Sequence, residues 1–248
     1  MQYIIMSILA IFFGQVVSHL VQKLPPVVSE EITYSQFFKS LKFDFKFDFK
    51  YSIIFLILFN ALGIFLENNI TIYLYTIVCA ALAIAFSIDY KYQLIPDEVH
   101  ILIVFVGIIN LFMHITLWYN FLLGALIGGA IFYLLNLLAL LIFKKEGMGF
   151  GDVKLMASLG FLFGIKYILV IALVSFILGA IVGGSLMIIK KMNSDSYIPF
   201  GPFIVIAAIL LMFIPADTII DIYISFCSWL GMKMSDALYF VMCKLGVG

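Results

Sequence analysis

The sequence predicts an all-α polytopic membrane protein, and three observations predict it. Hydrophobic residues make up 65% of the 248 and charged residues only 11%, more apolar surface than a soluble core of this size could hide from water. Mean hydropathy is +1.21. The apolar residues are also gathered in runs long enough to read as membrane helices, about seven to nine of them.

The first run, Tyr3 to about Gln22, can span a bilayer. It lacks the basic start and small-residue cleavage site of a removable signal peptide, so it reads as a retained helix. A polar stretch, Lys23 to Lys50, follows. Further spans are expected at Tyr51–Leu66, Ile70–Tyr90, His100–Leu117, Tyr119–Phe143, Val153–Gly164, Tyr167–Ile189 and Phe203–Ile214, with Thr218–Gly231 ambiguous. The expected division is 1–50 as first helix and cytoplasmic loop, 51–231 as the membrane core and 232–248 as a tail.

Net charge is zero, so the chain has neither a basic field for nucleic acid nor an acidic tail. Every basic residue is a lysine, which leaves no planar bidentate cation. With the amino terminus outside, Lys23, Lys39, Lys42, Lys46, Lys50, Lys91, Lys144, Lys145, Lys154, Lys190 and Lys191 all fall on one side, cytoplasmic by the positive-inside rule. Lys166 lies opposite, and Glu67-Asn68-Asn69 forms a short outer loop. In the first cytoplasmic loop, Phe43-Asp44-Phe45-Lys46 repeats as Phe47-Asp48-Phe49-Lys50. That alternation puts the phenylalanines on one face of an extended strand, either an edge for an extended peptide or a headgroup anchor.

Cys79, Cys227 and Cys243 are far apart with no CxxC pair, and read as small apolar residues rather than a disulfide framework or zinc site. His19, His100 and His114 are equally dispersed and read as packing or interfacial groups.

Two carboxylates stand out because an acid at membrane depth costs about 2.5–3.5 kcal/mol and persists mainly where it does chemistry or lines a polar path. Asp89 lies near the end of its span, and Pro96-Asp97 opens the next. For Asp89 the alternative is an interfacial acid paired with Lys91. For Asp97 it is a helix-start residue suited to the positive end of the helix dipole. Asp152 closes Gly147-Met148-Gly149-Phe150-Gly151-Asp152, whose glycines permit left-handed backbone or close approach of a second chain. Alternatively Asp152 is an N-cap.

Asp89 with Pro96-Asp97, then GMGFGDVKLMASLGFLFG from Gly147 to Gly164, then Ile198-Pro199-Phe200-Gly201-Pro202, occur in the order and spacing of one family. They resemble the bacterial type IV prepilin peptidases, membrane aspartyl proteases of the glycine-x-glycine-aspartate class. The likeness runs from about Tyr51 to Gly231, with an echo at Gly14 to Pro25. It implies Asp89 and Asp152 as catalytic aspartates, supported by Gly149, Gly151, Asp97 and Lys154. It also implies cleavage of the basic leader of prepilins or pseudopilins at the cytoplasmic face of the inner membrane, before the hydrophobic pilin helix. The expected partners are therefore those substrates and membrane lipid, with no nucleic acid.

The chain departs from the family pattern in the first loop, where many members carry two zinc-binding CxxC pairs. Lys23 to Lys50 contains no cysteine, so zinc is not expected. An acid early in the second helix, associated with methyl transfer from S-adenosylmethionine, is matched here by Phe55. Proteolysis by two aspartates needs no cofactor, and S-adenosylmethionine enters only if methyl transfer is retained. A transporter would also explain paired intramembrane acids and glycine-broken helices. Against it stand the ordered motifs and the lack of a clear inverted repeat. An idle assembly subunit has no reason to keep both acids.

Overall fold

The structure is a computed structural model that describes residues 2–23, 49–66, 70–144, 148–189 and 199–245. The expected phenylalanine strand at 43–50 lies almost wholly outside these residues, and the 67–69 loop, most of the 23–50 segment and Lys145, Lys190 and Lys191 lie outside them as well.

Nine α-helices are formed among the described residues: α1 (Gln2–Lys23), α2 (Phe49–Phe65), α3 (Ile70–Tyr92), α4 (Asp97–Met113), α5 (Trp118–Phe143), α6 (Phe150–Phe163), α7 (Ile165–Ile188), α8 (Gly201–Phe213) and α9 (Ala216–Leu245). A 3-10 turn, Ile115–Leu117, links α4 to α5. A helix forms within a few residues of each expected span, and the ambiguous Thr218–Gly231 stretch is helical. By length and hydropathy four helices, α1, α3, α5 and α7, can each cross a membrane alone. The chain is thus an all-α, multi-pass membrane protein. Large apolar side chains face outward along the helices, among them Ile57, Ile101 and Leu126 at 67–68% exposure, as lipid rather than water requires.

Contacts divide the chain into two units, Met1–Phe213 and Ile214–Gly248. The second contains α9. In the first, α3 is the central helix, with Ile72, Val78, Cys79, Leu82 and Ile88 all fully buried. Short polar contacts hold its neighbours: the Tyr51 hydroxyl of α2 donates to Ser87 Oγ at 2.9 Å, and Cys79 Sγ lies 3.5 Å from Met212 Sδ of α8.

Small residues set the tightest packing, as expected where lipid removes the hydrophobic drive between helices. α1 and α2 run antiparallel, with the Gly14 face against the Ser52 backbone and Gln15 Nε2 donating to Ser52 Oγ at 2.9 Å. α5 and α6 also run antiparallel. Gly124 and Gly160 meet so closely that a Cβ on either would strike the other helix's backbone. Asn110 of α4 also ties α6 by donating to the Leu162 carbonyl at 3.0 Å. These contacts fix α6, whose first turn carries Asp152.

Candidate active site

Asp89 occupies the last turn of α3. That helix closes with the Gln93 amide donating to the Asp89 carbonyl at 2.9 Å, Gln93 itself adopting φ 56°. The chain then crosses Leu94 and Ile95 to Pro96, the N-cap of α4. Asp152 lies in the first turn of α6, after the Gly149 N-cap. Both carboxylates are buried, at 5% and 4% exposure.

The two acids line one cavity of about 230 Å³ together with Gln93, Ile95, Gly151 and the Asp97–Lys154 pair. Residues far apart in the chain thus meet because three helix N-termini, those of α4, α6 and α8, converge on the C-terminal end of α3. The unpaired amides and positive dipole ends of such termini favour negative charge, which offsets part of the desolvation that burial imposes on the acids.

Neither alternative role of the acids matches this geometry. Asp89 is buried with its carboxylate against the Gly201 backbone, unlike an interfacial acid paired with Lys91. Asp152 is not an N-cap: Gly149 holds that position and no side chain caps the helix.

Neither Gly149 nor Gly151 has unusual backbone, and Gly151 acts by space. Gly149 has φ −67° and ψ 146°, open to any residue, and Gly151 is helical, so the left-handed geometry anticipated for this run is absent at both; Gly147 lies outside the described residues. A Cβ on Gly151 would come within 3.2 Å of Ile95 Cβ. Gly151 therefore lets the 93–96 link seat against the start of α6.

Asp97 begins α4 and accepts a hydrogen bond from Lys154 Nζ at 2.8 Å, with both side chains substantially exposed. Lys154 also stands over the Phe150 ring, 5.5 Å from its centroid. The pair forms the rim between the acid cavity and a second cavity of about 520 Å³. His100 lines that second cavity, buried, with neither ring nitrogen hydrogen-bonded.

Two contributors escaped the sequence reading, Ile95 and Gly201. Gly201 opens α8, and a Cβ there would lie 2.5 Å from Asp89 Oδ2 and 3.2 Å from Ile95 Cδ1. The signal was present in the Pro-Phe-Gly-Pro segment, but its contact with Asp89 is made only by folding. Among the described residues no three His, Cys, Asp or Glu side chains gather as metal ligands.

Residues 76–184 match the family model described as the type IV leader peptidase family, a stretch containing both acids. A prepilin leader peptidase/N-methyltransferase of Xanthomonas campestris pv. campestris is 35% identical over 159 residues, covering 60% of this chain and 53% of that protein. A protein of the same name from Legionella pneumophila is 36% identical over 143 residues, 56% of this chain and 48% of its own length. One from Bacillus subtilis is 30% identical over 168 residues, 67% and 65% respectively. The chain spans about half the length of the first two relatives. No solved structure gives a significant match.

Proposed function

We propose that this chain, whose residues 76–184 match the type IV leader peptidase family, is a membrane aspartyl endopeptidase of that family. Its substrates are prepilins or pseudopilins, cut at the cytoplasmic face of the inner membrane. Two buried carboxylates from separate helices lining one cavity are the observation that supports it.

Like charges this close do not both ionise readily, so one acid keeps its proton. The ionised carboxylate takes a proton from water as the oxygen attacks the scissile carbonyl carbon. The protonated one donates to the carbonyl oxygen. Collapse of the tetrahedral species breaks the C–N bond and returns a proton to the leaving amine. Asp89 and Asp152 carry these roles between them. Gly151 supports the site by seating the Ile95 link, Gly149 by beginning α6, and Asp97 with Lys154 by closing its rim.

Relatives are named N-methyltransferases as well. The surroundings of Phe55 do not fit S-adenosylmethionine: Phe55 is fully buried, its ring 5.1 Å from that of Phe59. It lines an apolar cavity with Lys50 and Tyr51, with no carboxylate among the described residues there to meet a sulfonium. No step of the proposed reaction passes through that group.

The test is incubation of the membrane-embedded protein with a prepilin and S-adenosylmethionine, followed by product mass. Leader loss is expected from the parent. Asp89→Asn and Asp152→Asn should each lower cleavage by at least about a thousandfold while inserting normally. Cleavage at near-parental rate by either variant removes that residue from the mechanism.

A further inference from the structure

We propose that Gly201 is a positioning residue of this reaction: only the absence of a side chain there lets Asp89 hold its carboxylate in the cavity shared with Asp152. The inference rests on Asp89 being a catalytic acid. Its own support is geometric. A Cβ at position 201 would lie 2.5 Å from Asp89 Oδ2, 3.0 Å from its Cγ and 3.2 Å from Ile95 Cδ1, and the first of these is a distance that real contacts do not tolerate.

Something must move, and the surroundings decide what. The start of α8 is held by Phe200, whose ring lies 5.7 Å from Phe132, 5.3 Å from Phe176 and 5.7 Å from Phe203. The Phe200 carbonyl accepts the Phe203 amide at 3.0 Å, and Ser175 Oγ of α7 donates to the Phe203 carbonyl at 3.4 Å. Gly201, Pro202 and Phe203 are all buried. Pro202 suits the first turn of a helix, where its missing N–H is not needed. Backbone retreat is thus opposed by packing on two helices, whereas the Asp89 carboxylate is the far end of a side chain that can turn about its own bonds.

An added methyl therefore displaces the acid. Ordinary van der Waals separation asks it to move by the better part of an ångström, and a 1 Å misplacement of a reacting group costs on the order of a hundredfold in rate. Each residue of Phe200-Gly201-Pro202 then has its part: the phenylalanine anchors the helix start, the glycine clears the acid, and the proline suits the first turn.

The experiment compares Gly201→Ala, Asp89→Asn and the parent on a prepilin in proteoliposomes. Gly201→Ala is expected to lower kcat about a hundredfold, leave KM within about threefold and displace the pH profile of kcat, with thermal unfolding close to the parent. Ile95→Ala with and without Gly201→Ala forms the second arm, since truncating Ile95 makes room for the methyl and protects folding. The double variant should still fall well below Ile95→Ala alone in kcat. Equal kcat in that pair, or parental kcat and pH profile in Gly201→Ala while Asp89→Asn is inactive, overturns the positioning role. Retained activity in Asp89→Asn overturns instead the catalytic reading on which it depends.

Discussion

Asp89 and Asp152 differ from Asp97 in burial more than in chemistry. The first two are almost completely enclosed and line the cavity they share. Asp97 is 61% exposed, and its partner Lys154 42%. An exposed ion pair is worth about 0–1 kcal/mol, and salt screens it. Asp97→Asn is accordingly expected to retain leader cleavage within about tenfold of the parent, checked by the same mass assay. A loss as deep as that of Asp89→Asn would make Asp97 part of the chemistry rather than of the rim. His100 was legible only as one of three scattered histidines. Its buried, unpartnered ring behind the Asp97–Lys154 pair is a product of folding.

Among the helices, α6 and α8 are short, 14 and 13 residues, or about 21 and 20 Å long against a hydrocarbon core of about 30 Å. Each begins at the acid cavity, so its unpaired N-terminal amides lie where the carboxylates are. Their starts were legible in the sequence because glycines punctuate that of α6, and glycine with proline that of α8. That both starts meet at Asp89 was not. α6 is positioned by its seam with α5, where Gly160 abuts the Gly124 backbone. Gly160→Val would wedge the two helices apart, and overpacking of this kind costs about 1–3 kcal/mol. The variant is expected to unfold at lower temperature in detergent and to lose cleavage with it, because Asp152 rides on the same helix. An unchanged melting temperature would mean that the seam yields more easily than its backbone contacts imply.

Taken whole, the molecule carries Lys23, Lys50, Lys91 and Lys144 at helix ends. By the positive-inside rule these lysines support the proposal that the acid cavity opens on the cytoplasmic side. The first loop, most of which lies outside the described residues, has neither cysteine nor histidine between Lys23 and Lys50. A zinc site needs about four clustered donors. Purified protein is therefore expected to contain no stoichiometric zinc and to cleave prepilin in the presence of chelators, as metal analysis and the mass assay together can check. One tightly bound zinc per chain, with activity lost on its removal, would point to a site built from distant residues.

By itself the sequence determined the membrane class, the order and approximate limits of the helices, and the two acids worth testing. Hydropathy, helix punctuation and the cost of burying a carboxylate are properties of a residue and its near neighbours. Only the tertiary structure decided that Asp89 and Asp152 share a cavity, that Gly151 and Gly201 close on Ile95 from two helices, and that Gly149 needs no left-handed backbone. Those outcomes depend on which helix faces pack together. In lipid, close approach of small residues such as Gly124 and Gly160 settles that choice, by contacts between segments that the linear order keeps apart.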